Sequence, residues 1–173
     1  MFKGGKLKML EFIELTEKKA PKKKGRLRDN ILHSFEDLEN AGILLNDDTV
    51  LVDFDNDNIN ERNIIEYIEQ NYPTLKVKTN KGYHLYYSKP KELKMQKSMI
   101  DTITVGGFQV DYKTSNTQYG VIKLNGIERE ANQPLTLDNL PELPPLLYPL
   151  GAGDKKTNLS GMVERRRTKR CFV

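Results

Sequence analysis

Within Thr49–Phe54 (TVLVDF) four apolar side chains surround one carboxylate, and a second carboxylate, Asp55, follows directly. A short apolar run rich in β-branched residues, closed by turn residues on both sides, reads as a buried strand. Strand interiors are poor in Asp. Asp57, Asn58 and Asn60 read as a turn and a helix start, but Asp53, between Val52 and Phe54, needs another reason. Side chains alternate along a strand, so Asp53 and Asp55 share a face. Two neighbouring carboxylates repel unless a cation or proton lies between them. Hard divalent ions are held through one or two carboxylates, with substrate phosphates completing the shell.

The rest of the chain supplies short elements around this strand. Met9–Thr16 reads as an edge strand, and the lysine-rich loop after it resists regular structure. The stripe Ile31, Leu32, Phe35 and Leu38 predicts a helix capped by Asp29 or Asn30 and closed by Asn40 and Gly42. A second helix is expected over 61–70, burying Ile64, Ile65 and Ile68 and stopped by Pro73. Leu75–Thr79 and Tyr83–Tyr87 read as a hairpin across Asn80-Lys81-Gly82, with Gly82 at positive φ. Ser88–Ser98 is a lysine-rich connector. Gly107–Lys113 and Gln118–Leu124 read as another antiparallel pair across Thr114–Thr117. Prolines 134, 141, 144, 145 and 149 make the following stretch a wrap over the body. The order of elements gives an α+β class.

Charge is divided along the 173 residues. Residues 1–28 carry ten basic and three acidic side chains, 154–173 seven and two, and 29–153 eleven and nineteen. Basic flanks around an acidic centre suit a protein that holds a polyanion at its edges and cations in its middle. The expected organisation is a basic strand and loop over 1–28, a core over 29–150, and a basic, disordered tail over 151–173. Cys171 is the one cysteine, which excludes a disulfide framework, a multi-cysteine zinc site and a CxxCH haem attachment. Apolar runs are strand-sized, so no membrane span is expected. Met1–Lys8 lacks the apolar segment of a secretory signal, which points to a cytoplasmic location.

Two further segments carry chemistry. His84 follows Gly82-Tyr83, and Lys81 and His84 are placed to face a phosphate; a half-buried strand histidine is the plainer alternative. Asp111 lies in Phe108–Lys113 (FQVDYK), on the Gln109, Asp111, Lys113 face of a predicted strand, where a solvated face would explain it equally well. Gly151–Thr157 fails the spacing of a phosphate loop.

Taken in order, Val52-Asp53-Phe54-Asp55, Gly82-Tyr83-His84 and Val110-Asp111-Tyr112-Lys113 form a pattern. It resembles the archaeo-eukaryotic primase superfamily, specifically the primase–polymerase domains of phages and plasmids, over about residues 40–125. That resemblance implies an RRM-like antiparallel sheet joined to a smaller α/β unit. It implies that Asp53, Asp55 and Asp111 hold two Mg²⁺ or Mn²⁺ ions that align a primer 3′-oxygen with an incoming α-phosphate. His84, Lys81, Lys113 and Thr79 would bind the nucleotide, an NTP or dNTP. Tyr83, Tyr86, Tyr112 and Tyr119 are candidates for stacking on bases, although aromatic strand residues more often pack in a core. Lys22, Lys23, Lys24, Arg26 and Arg28 would grip a single-stranded DNA template. A replicative helicase is a possible partner, the setting is the host cytoplasm if phage-encoded, and the ending Lys169–Val173 suggests a chain cut before a helicase part. The expected function is therefore a template-directed nucleotidyltransferase, primase or DNA polymerase. The alternatives are a non-catalytic single-stranded nucleic-acid-binding module and, more remotely, a sugar transferase sharing the DxD pair.

Overall fold

The structure, a computed structural model, describes residues 9–55 and 59–150. It is mixed α+β. Nine strands form two antiparallel sheets, with one α-helix among the described residues. Strands β1 (Phe12–Glu14), β2 (Ala41–Leu44), β8 (Tyr119–Leu124) and β9 (Ile127–Glu128) form one sheet in the order β1-β2-β8-β9. The other runs β4-β5-β3-β7-β6, from β3 (Thr49–Asp55), β4 (Leu75–Lys78), β5 (Gly82–Ser88), β6 (Ser98–Ile103) and β7 (Gln109–Thr114).

The apolar run at Thr49 takes the centre of the larger sheet because both of its faces are covered. Val50, Val52 and Phe54 pack with Ile65 and Ile68 of α1 (Ile59–Asn71) and with Leu143 and Leu147 of the proline-rich wrap. Leu51 turns to the opposite side and joins Tyr86, Leu75 and Val77 against Phe12, Ile43 and Ile122 of the second sheet. Alternation with a period of two therefore builds two cores, one under the helix and one between the sheets. At Gly120 the smaller sheet lies against side chains of the larger one: a Cβ there would meet the Tyr86 hydroxyl and, at 2.7 Å, Leu51 Cδ1. Isolated bridges Ser88–Glu142 and Thr104–Pro149 fasten the wrap to the larger sheet.

The edge strand near Met9, the buried strand, the second helix and the hairpin at Leu75 form as the sequence suggests. Four expectations are corrected. The helix expected from Asp29 to Asn40 is absent: a 3₁₀ turn covers Leu27–Asn30, and Leu32 instead exchanges both backbone hydrogen bonds with Phe12. Its apolar residues serve two cores, Ile31 the outer face of the smaller sheet and Leu32, Phe35 and Leu38 the intersheet layer. Asn, Ser and Asp compete with helix formation over the same stretch. Gly107–Lys113 and Gln118–Leu124 are not a hairpin, since β7 pairs with β3 and β6 while β8 pairs with β2 and β9. Gly82 has no positive φ; it pairs with Asp55 inside β5. Tyr86 and Tyr112 are wholly buried and cannot stack on a base. Strand β2 occupies residues where the sequence places the end of the first helix, and β6 starts at Ser98, the last residue of the lysine-rich connector.

Candidate functional site

Register brings the three sequence motifs together. Asp53 sits directly between His84 of β5 and Asp111 of β7, while Asp55 pairs with Gly82. Val50, Val52, Phe54, Val110 and Tyr112 face the helix-side core, so Asp53, Asp55, Asp111 and Lys113 share the opposite face. Cβ atoms of directly opposed residues in an antiparallel pair lie about 4.5–5.5 Å apart, and like charges so placed are destabilising. Compensation is at hand. Lys113 stands diagonal to Asp53, opposite Leu51, and Arg129 enters from the smaller sheet.

These groups line a cleft of about 230 Å³ at one end of the space between the sheets. Asp53, Asp55, His84 and Lys113 come from the larger sheet, and Thr79, Asn80 and Lys81 from the β4–β5 turn. Arg129 and Lys19 complete the far wall. Asp111 does not reach this wall: its Oδ1 accepts the Asp101 N–H at 2.8 Å, where β6 is bulged between Met99 and Thr102 and Asp101 has φ 51°. It thus staples an irregular edge strand to the strand beside Asp53. A second carboxylate oxygen leaves acceptor capacity on the shared face.

His84 is 4% exposed, and its Nε2 lies 3.4 Å from Asp53 Oδ2. Burial pushes the imidazole below its ordinary value, against the hydrogen bond and charge of Asp53. A neutral ring that presents Nε2–H to Asp53 leaves Nδ1 as a bare acceptor, and Nδ1 is buried with no partner. For Asp53, burial acts to raise the carboxyl. The His84 hydrogen bond and charge, then Lys113 and Arg129, outweigh it and hold the group below its ordinary value. Asp53 is therefore an ionised, partly desolvated carboxylate at neutral pH.

Thr79 is a turn-former as well as a cleft residue: its Oγ1 accepts the Gly82 N–H at 2.9 Å. Lys81 is exposed on the same turn. Lys22, Lys23, Lys24, Arg26 and Arg28 are all exposed, but two of them are neutralised locally, Lys22 by Glu14 at 2.5 Å and Arg28 by Glu11 at 2.7 Å. Lys23, Lys24 and Arg26 lie on the intervening loop. The tail beyond residue 150 lies outside the described residues.

Arg129 was missed by sequence reasoning. Its signal was slight: a single cation between Glu128 and Glu130, just after the Asn125-Gly126 turn. A guanidinium N–H donates to the Val121 carbonyl at 3.0 Å, which sets the side chain toward the cleft. The donor chemistry of Asp53, Asp55 and Asp111, hard oxygen on one face, suits Mg²⁺ or Mn²⁺. Among the described residues no three carboxylate, imidazole or thiol side chains already converge as a cation cage. Comparisons with family models, with curated proteins and with solved structures find no match for this chain.

Proposed function

We propose that this protein is a template-directed nucleotidyltransferase, a primase or DNA polymerase, whose catalytic strands are β3, β5 and β7. The observation that carries this reading is the register that sets Asp53 between His84 and Asp111 with Asp55 on the same face. Cations in the same cleft support it, because a purely anionic site would reject a phosphate chain. On this reading the larger sheet with α1 is the RRM-like unit.

Asp53, Asp55 and Asp111 would hold a pair of Mg²⁺ or Mn²⁺ ions, which when bound lower the cost of forming an alkoxide and neutralise a pyrophosphate leaving group. The chain's own residues do the rest. His84 orients Asp53 through Nε2 and keeps it ionised without adding a permanent charge. Lys81, Lys113 and Arg129 draw the phosphate chain into the cleft and fix its direction, and Thr79 shapes the turn that carries Lys81. Lys23, Lys24 and Arg26 offer sequence-independent contacts to a template strand.

The test is incubation of the full chain with single-stranded DNA, Mg²⁺ or Mn²⁺ and labelled NTPs or dNTPs. Template-dependent incorporation is expected, and Asp53→Asn removes it. DNA binding without incorporation would instead leave the binding-module reading standing.

A further inference from the structure

A second pocket, of about 340 Å³, opens beside the cleft and shares Thr79, Asn80 and Arg129 with it. We infer that the two hollows are halves of one nucleotide site: the cleft takes the phosphates and the second pocket takes the sugar and base. This rests on the nucleotidyltransferase reading above and assigns a place to the part of the substrate which that reading leaves unplaced.

The charge differs between the halves in the sense the substrate needs. The cleft wall presents Lys19, Lys81, Lys113 and Arg129 against Asp53 and Asp55. In the second pocket Lys78 and Arg129 are matched by Glu128 and Glu130, and Lys78 lies 3.7 Å from Glu130. A net-neutral hollow has no electrostatic claim on a phosphate, but its Asn80 and Asn125 amides and the aliphatic Leu124 and Ile127 suit a sugar and a base. Ile127 is 73% exposed, a surface left open on the pocket rim. Arg129, at the junction, is placed to hold the phosphate nearest the sugar.

The walls are fixed before any ligand arrives. The β8–β9 turn is held by Asn125 N–H donating to Asn40 Oδ1 at 2.7 Å and by Gly126 N–H donating to the Glu39 carbonyl at 2.8 Å. The β4 side is held by Lys78 N–H donating to the Glu130 carbonyl at 2.8 Å and by the Val77–Ala131 bridge. Preformed walls spare a ligand the cost of ordering them.

Calorimetric titration of the full chain in Mg²⁺, with ATP and with inorganic tripolyphosphate, tests the assignment. ATP is expected to bind more tightly than tripolyphosphate. Ile127→Ser, at an exposed position that should fold normally, is expected to weaken ATP about fivefold and leave tripolyphosphate unchanged. Arg129→Gln is expected to weaken both. Equal affinity for the two ligands, with Ile127→Ser affecting neither, overturns the nucleoside pocket while leaving the catalytic reading intact. Failure of both ligands to bind the native chain overturns the two together.

Discussion

The space between the two sheets has a dry end and a polar end, and both are built from the same strands. At the dry end Leu51 and Tyr86 pack against Ile43, Ile122 and the bare backbone of Gly120. Two residues further along β3 and β5, on the same face, stand Asp53 and His84. No separate scaffold carries the site; the apolar alternation simply stops, and the cleft begins where it stops. The apolar half fixes the sheet separation, and the polar half inherits it.

The sharpest way to break this contrast is Asp53→Asn. Incorporation of labelled nucleotide is expected to fall by roughly a hundredfold or more, because the carboxylate nearest the centre of the donor set is lost. Urea melting should show the fold retained. Next is Gly120→Ala at the dry end, where the added methyl collides with Leu51 and the Tyr86 hydroxyl. A loss of about 2 kcal/mol in stability is expected from such overpacking, with activity falling because the sheets are wedged apart.

Tyr86→Phe should act in the opposite direction. The hydroxyl is buried with no hydrogen-bond partner, so its removal is expected to stabilise the fold by about 1 kcal/mol. An unchanged or lower urea midpoint would count against an unsatisfied hydroxyl. The smallest effect concerns pH in divalent-free buffer. Below the ordinary imidazole value of 6.5 the unfolded chain takes up a proton that folded His84 resists, so stability falls as pH drops from 7 to 5. The contribution of Asp53, whose folded value is depressed, survives until the pH falls below its ordinary 3.8. His84→Gln should flatten the first decline, and a native slope equal to that of the variant would show that His84 is not held neutral.

The strand pattern around the site was legible because it rests on alternation. Thr49–Asp55 could be read as buried, and from it the shared face of Asp53 and Asp55. Partner choice was not legible. Thr114–Thr117 looks like a hairpin turn, yet β7 and β8 diverge into different sheets because Val110 and Tyr112 belong under the helix while Ile122 belongs between the sheets. The stripe Ile31–Leu38 fits a helical period by spacing alone, but its residues are drawn to two different cores. Arg129 escaped because nothing local distinguishes a cation that crosses to another sheet from one that faces solvent.

One feature of the topology bears on how the molecule assembles. Every strand of the larger sheet falls within residues 49–114, whereas β2 and β8 of the smaller sheet flank that whole segment and pair with each other. The β2–β8 ladder is therefore the closure of a long loop, whose entropy must be met before the pairing gives any return. The carboxylate-bearing strands are expected to order first and the wall carrying Arg129 to dock afterwards. In the native state that wall is then the part that opens most readily. Amide exchange should be faster along β8 and β9 than along β3.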